Sequence, residues 1–213
     1  VLPAPHPADP AAVLAGAGAA LAVRCGTLSG GGRQCSPAVW PRRAVRAGLP
    51  AVLCIFADVA AAAVITVDGN GPAILDNYST LFPDSADVMG WDLVETGFKV
   101  RFSKNIPSIV RRHLPGLLKS ACAKWGINQE DIVHYVVHPG GAKVLSAYSE
   151  SLSLTKDKLT YAYDVLAGYG NMSSASVLFV LNRFMEETPP TGNYGVMLAL
   201  GPGFSAEQVL FKW

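Results

Sequence analysis

Residues 171–187, NMSSASVLFVLNRFMEE, constrain the fold more than any other part of the chain. They read as one long helix whose apolar positions, Val177, Leu178, Phe179, Val180, Leu181 and Phe184, leave almost no polar side. A surface helix shows a single apolar stripe, whereas a helix that is apolar nearly all round has to be covered on several sides. The expectation is therefore a helix lying inside the protein with layers packed on both of its flanks.

The rest of the chain supplies those layers. Residues 60–67 (AAAAVITV) read as a buried strand closed by the turn Asp68-Gly69-Asn70-Gly71, and residues 72–80 are expected to pair with it. Residues 91–102 alternate weakly around Gly97, as a hairpin does. Pro107 fits the first turn of a helix, where its missing N–H is not needed. That helix is expected to run to Trp125, kink at Pro115 and stop at Gly126. Residues 131–137 (DIVHYVV) form a strand, followed by the sharp turn Pro139-Gly140-Gly141. A helix over residues 142–152 places Val144, Leu145, Tyr148 and Leu152 on one face. A further helix covers residues 156–166, and Gly168-Tyr169-Gly170 breaks the chain before the apolar helix. Strands at 194–200 and 206–211 flank Gly201-Pro202-Gly203. Strands alternating with helices predict an α/β layered core.

With 213 residues the chain can form one sizeable core or half of a larger two-part fold. Half of its residues are apolar and 15% are charged, a globular balance, and the net charge of +1 gives no overall field towards nucleic acid or acidic lipid. The four cysteines, Cys25, Cys35, Cys54 and Cys122, form no C-x-x-C pair and have no histidine cluster near them. This argues against a disulfide framework or a zinc site and favours a reducing, cytoplasmic setting. The apolar run at 11–23 lacks a basic flank, and the run at 51–67 is short and carries Asp58, so neither reads as a membrane span.

Composition shifts near residue 50. All eight lysines lie at Lys99 or beyond, and only Asp9 and Asp58 of the sixteen acidic residues precede Asp68. Residues 1–50 are rich in Ala, Gly, Pro and Arg, and no helix or strand period runs through CGTLSGGGRQCSPAVWPRR. The chain is therefore divided into an atypical leader, 1–50, and a well-formed domain, 51–213. The leader is expected to be a remnant of a longer N-terminal half or a segment translated out of frame. The initial Val1 in place of Met points the same way.

Two polar side chains stand where chemistry is expected. His138 ends a strand just before a Pro-Gly-Gly turn and a helix, and open α/β sheets bind ligands at such carboxyl ends. A neutral imidazole there can donate a hydrogen bond or accept a proton, or it can be an ordinary loop histidine. Asn171 follows Gly170 at the start of the apolar helix. Its carboxamide can cap the helix, or it can donate into a pocket beside His138, where two donors would stabilise an oxyanion or a developing enolate. Gly201-Pro202-Gly203 is either a plain hairpin turn or a rigid loop scaffolding a site. None of Cys25, Cys35 and Cys54 stands in a strand-to-helix elbow that would activate a thiol, and Cys122 falls inside a helix.

Taken together and in order, VVHPGGAKVL, VLAGYGNMSSASVLFVL and YGVMLALGPGF resemble the C-terminal half of chalcone and stilbene synthase relatives, the type III polyketide synthases. LFPDSADVMGWDLVETGFKVRFSKNIP is similar to bacterial members that make alkylpyrones or alkylresorcinols. The resemblance covers roughly residues 52–213. It implies a thiolase-like fold with helices sandwiched between mixed sheets. It also implies acyltransferase activity: a decarboxylative Claisen condensation of malonyl-CoA onto an acyl-CoA starter held on a cysteine. It places the family's catalytic histidine on His138 and its catalytic asparagine on Asn171. The substrate pocket falls on Phe56, Val100 and the loop Gly201, Pro202 and Gly203. The small Val100, where plant members carry a gating Phe, suits a fatty acyl starter. Relatives are homodimers that need no metal or dissociable cofactor.

The departures are equally specific. The family's nucleophilic cysteine would fall at or before the first few residues, where there is none. Val59 replaces the last glycine of the family's Phe-Gly-Asp-Gly segment. Two other readings therefore stand beside the condensing enzyme. One is a fragment or pseudoenzyme that keeps the fold without the nucleophile. The other is a condensing enzyme of the ketoacyl synthase III type, which shares the histidine and the asparagine.

Overall fold

The computed structural model describes residues 19–26, 59–66, 71–95, 97–187 and 191–213. The boundary expected near residue 50, and the calls on Phe56, Cys35 and Cys54, lie outside the described residues, as does the side chain of Cys25.

Among the described residues eight strands and four α-helices follow one another: β1 (Ala19–Gly26), β2 (Ala60–Thr66), β3 (Ala73–Leu81), β4 (Met89–Val94), β5 (Gly97–Phe102), α1 (Ile106–Trp125), β6 (Ile132–Val137), α2 (Ala142–Ser151), α3 (Thr160–Tyr169), α4 (Ala175–Glu186), β7 (Tyr194–Gly201) and β8 (Ser205–Lys212). Six strands make one sheet in the order β2-β1-β3-β8-β7-β6, and β4 and β5 form a separate hairpin. Among the described strands only β6 and β7 run parallel; the other described pairs of the sheet are antiparallel, so the sheet is mixed.

Period-two alternation decides what each face of this sheet carries. Val137, Leu198 and Gln208 are cross-strand neighbours and all are buried, as are Tyr135, Val196 and Leu210 in the matching rows. Tyr135 lies close enough to Cys122 of α1 for that thiol to help burial raise its phenol to about 12. The opposite face of β6 carries His134, Val136 and then His138. His134 meets Phe184 of α4 edge-on, with ring centroids 5.6 Å apart. The face that leads to His138 is therefore the face that α4 covers. α4 also contacts α3 and both strands of the β1–β2 ribbon, which joins β3 only through Ala19 and Ala20. The helix read as apolar all round is thus covered on several sides. Ser176, Val177, Phe179, Val180, Leu181 and Phe184 are buried, and its polar residues gather on a narrow strip that includes Arg183 and Glu186.

Three expectations change. The strand at 60–66 does not pair with β3; β1 lies between them, with Ala20 opposite both Thr66 and Ala73. Nor is β2 buried: at the edge of the sheet, the adjacent Val64 and Ile65, which point to opposite faces, are each 55% exposed. α1 runs from Ile106 to Trp125 with Pro115 inside it, the span expected of it. The apolar helix starts at Ala175 and not at Asn171, because the four residues before it fold as a separate turn. Local chemistry accounts for much of the rest. Pro107 lies in the first turn of α1, and Gly126 ends that helix in a left-handed conformation at φ 71°. No described helix is long and apolar enough to cross a membrane.

Candidate active site

The site is built where β6 ends. The His138 N–H donates to the Leu198 carbonyl at 2.9 Å, which extends the β6–β7 ladder one residue beyond the strand and fixes the residue in line with His134 and Val136. The chain then turns sharply: the Gly140 N–H donates back to the His138 carbonyl at 2.9 Å. The Gly141 carbonyl accepts from both Val144 and Leu145 at 3.0 Å and starts α2. A β-carbon added to Gly140 would lie 3.5 Å from Cδ2 and 3.7 Å from Nε2 of His138, so the ring sits directly over this glycine.

Asn171 approaches from the other side. Gly170 takes φ 76° and ψ −165°, a backbone conformation that side chains other than glycine's adopt at a cost, and so turns the chain from α3 into the site. The Asn171 carboxamide then bonds at both ends. Its Oδ1 accepts from the Ser173 N–H at 2.9 Å, closing a turn in which Ser173 adopts φ 56°, and its Nδ2 donates to the Gly140 carbonyl at 3.1 Å. The two readings of Asn171 are therefore not alternatives. The oxygen shapes the approach to α4, while the nitrogen points towards the His138 turn. An amide nitrogen carries two protons, and Gly140 takes one of them.

His138 and Asn171 both line a cavity of about 720 Å³. Val100, Gly201 and Pro202 line it too. Gly203 does not: it holds φ 135° in the β7–β8 turn, and a β-carbon there would come within 3.0 Å of the Leu81 side chain. Its role is in the loop and not in the wall. The remaining lining is mainly apolar and includes Trp91, Phe102, Tyr148 and Val177, with Lys104, Lys143 and Glu207 as its charged members. Burial alone pushes the His138 imidazole down to about 4, so the ring is neutral at physiological pH, and no described residue hydrogen-bonds its side chain. A neutral ring with a free N–H and a carboxamide with a free proton, in a mostly apolar hollow, are suited to stabilising charge that develops on an oxygen between them. Among the described residues no cysteine lines the cavity; Cys122 is buried in α1.

Sequence reading missed part of this wall. Trp91 and Val100 are direct cross-strand partners, so once Val100 is placed at the cavity the hairpin register brings Trp91 with it. Lys143 stands five residues after His138 in the first turn of α2, and that spacing was a usable signal.

The comparisons with known proteins point to one family. Residues 69–213 match the family described as chalcone and stilbene synthases, C-terminal domain. The 1,3,6,8-tetrahydroxynaphthalene synthase of Streptomyces peucetius subsp. caesius is 40% identical over 166 residues, covering 75% of this chain and 44% of that protein. The 3,5-dihydroxyphenylacetyl-CoA synthase of Amycolatopsis orientalis is 37% identical over 166 residues, covering 75% of this chain and 45% of that protein. The crystal structure of 1,3,6,8-tetrahydroxynaphthalene synthase from Streptomyces coelicolor A3(2), a bacterial type III polyketide synthase, superposes with a TM-score of 0.70 at 32% identity, covering 75% of this chain and 46% of that one. The chain spans less than half the length of each of these proteins. With the α/β fold, the ordered motifs and the domain match in agreement, the chain belongs to the chalcone and stilbene synthases, the type III polyketide synthases, and carries their C-terminal domain.

Proposed function

We propose that the chain provides the decarboxylation and condensation site of a type III polyketide synthase, with His138 and Asn171 as its catalytic residues. The observation that carries this reading is their common cavity, with the Asn171 carboxamide tied to Gly140 beneath the His138 ring. The thioester carbonyl of malonyl-CoA lies between the two donors. As carbon dioxide leaves, the electron pair of the breaking C–C bond forms an enolate whose oxygen is held by the imidazole N–H and the free carboxamide proton. The enolate carbon then attacks an acyl thioester, and the thiolate departs. His138, being neutral, donates without first having to lose a charge.

Val100, Gly201 and Pro202 shape the space for the starter, and Phe56 is assigned to the same pocket by family resemblance. The small Val100 and the apolar wall favour a fatty acyl starter, giving alkylpyrones or alkylresorcinols. The working protein is a cytoplasmic homodimer that uses CoA thioesters and no dissociable cofactor, with the folded domain beginning near residue 51. Malonyl-CoA decarboxylation tests the central claim directly. Carbon dioxide release by the full chain, lost in His138→Ala and Asn171→Ala, is the expected result. No release above background, or release unchanged in both variants, would refute it.

A second reading is favoured by the lack of a described cysteine in the lining: the chain binds CoA thioesters and decarboxylates malonyl-CoA without taking up an acyl group. Intact-protein mass spectrometry after incubation with a fatty acyl-CoA separates the two. A covalent acyl adduct supports the full condensing enzyme, and its absence alongside carbon dioxide release supports the second reading.

A further inference from the structure

Glu207 stands apart among the residues around the cavity. It is the only carboxylate in the described lining, and it forms no ion pair with any described residue. The Ser79 hydroxyl of β3 donates to its Oε1 at 2.9 Å and holds the group. No described residue hydrogen-bonds its other oxygen.

The sheet register explains why this side chain faces the site. Val137 pairs with Leu198 in the parallel ladder, and the His138 N–H continues that ladder, so His138 falls beside Ala199. Ala199 is paired with Glu207 on β8, and Glu207 with Ser79 on β3. His138, Ala199, Glu207 and Ser79 therefore form one cross-strand row, and side chains in such a row share a face of the sheet. With neighbouring strands about 4.8 Å apart, the backbones of His138 and Glu207 are roughly 10 Å apart. The residue between them carries only a methyl group. The row thus presents a donor on one side, an acceptor on the other, and a gap above Ala199 for substrate atoms.

The chemistry proposed above leaves the acceptor role empty. Decarboxylation makes an enolate without taking a proton from carbon, and His138 and Asn171 serve it as donors. Closing an extended 3-oxoacyl chain into a ring is different, because a methylene between two carbonyls has to lose a proton. His138 is weakly basic, since burial holds its imidazole down to about 4.

We propose that Glu207 is a further catalytic residue, the general base that enolises a 3-oxoacyl thioester held between its carboxylate and the His138–Asn171 donors. The methylene C–H bond breaks, its proton passes to the free carboxylate oxygen, and its electron pair forms the C=C bond of an enolate whose oxygen carries the charge. In ring closure that oxygen attacks the thioester carbonyl. A C–O bond forms, the C–S bond breaks, and the departing thiolate recovers the proton from Glu207. Ser79 is a positioning residue that fixes the carboxylate by its other oxygen. The inference rests on the reading of the cavity as a site for CoA thioesters, but it requires no acyl group to be taken up by the chain.

Proton exchange tests the base without any condensation. The full chain is incubated with 3-oxobutyryl-CoA in slightly acidic D2O, where buffer alone exchanges slowly, and loss of the signal of the methylene protons is followed by NMR. Malonyl-CoA decarboxylation is measured on the same preparation. Saturable exchange is expected, with a maximal rate reduced about 100-fold or more in Glu207→Gln and KM kept within about threefold. Ser79→Ala should lose about tenfold, and Glu207→Asp, which keeps a carboxylate, should exchange faster than Glu207→Gln. Glu207 is exposed, so Glu207→Gln should keep the wild-type circular dichroism spectrum. Exchange equal in the wild type and Glu207→Gln, or a loss confined to KM, overturns the proposal. So does a wild type that decarboxylates malonyl-CoA without exchanging, which would leave the decarboxylation site standing. Exchange that depends on Glu207 in a chain that does not decarboxylate supports the base and refutes the decarboxylation. Absence of both activities overturns both.

Discussion

The Asn171 carboxamide nitrogen donates to the Gly140 carbonyl across a gap of 3.1 Å, joining two loops that are 31 residues apart in sequence. Gly140 also underlies the His138 ring, so this bond ties the Asn171 carboxamide to the loop on which that ring rests. Asn171→Asp keeps an oxygen for the Ser173 N–H but loses the donor. The variant should fold with the wild-type circular dichroism spectrum and lose about 100-fold or more in malonyl-CoA decarboxylation. Asn171→Ala should lose as much activity and, in addition, about 1 kcal/mol of stability, read from urea unfolding.

Burial of His138 links acid to unfolding. Its folded value of about 4 lies below the ordinary value of 6.5, so the unfolded chain binds the proton first. The stability tied to the neutral ring is complete above about pH 6.5 and is lost as pH falls through the folded value of about 4. His134, also held low by burial and by Lys158, adds a slope of the same sign. Urea midpoints measured from pH 7 down to pH 4 should fall less steeply in His138→Gln than in the wild type. Carbon dioxide release should show no ionisation of this ring between pH 5.5 and 8.

Gly170 holds a conformation that suits glycine alone, with φ 76° and ψ −165°. Gly170→Ala should destabilise the fold by about 1–3 kcal/mol, and differential scanning calorimetry will register this as a lower Tm. The same variant shifts Asn171, so decarboxylation should fall as well.

Val100 is proposed to set the width of the pocket. Val100→Phe should raise KM for a long-chain acyl-CoA starter by about tenfold and leave malonyl-CoA decarboxylation within about twofold of wild type. Steady-state assays with starters of increasing length will show whether the loss grows with chain length.

Leu118 has no exposed surface and lies at the centre of α1. Leu118→Ala should cost about 2–5 kcal/mol by urea unfolding, confirming that α1 is part of the core and not an appended helix.

What was legible in the sequence was local. Gly126 capped α1 because a left-handed residue is needed there, Gly97 at φ 119° opens β5 opposite Val94 in the β4–β5 hairpin, and the strand before His138 emerged where its β-branched run placed it. The partner of β3 was not legible, because sheet order is decided by residues far apart in the chain: β3 lies between β1 and β8. The start of α4 was read four residues early, since Asn-Met-Ser-Ser looks like a cap and instead forms a side-chain turn with Ser173 left-handed. Burial of β2 was inferred from its apolar residues, but burial also requires a covering layer, and in β2 only Ala61 packs against the core. His138 and Asn171 stood out because each is preceded or followed by glycines at a chain reversal. Of the two lysines at the rim, Lys143 was within reach of its spacing after His138, whereas Lys104 was invisible until α1 was placed beside the site.

Trp91 belongs to the cavity wall, yet 59% of it faces solvent. An indole so placed is a built-in optical reporter. When an acyl chain enters beside it, water leaves one face of the ring and its emission should move to the blue, so occupancy of the hollow can be followed by intrinsic fluorescence without a label.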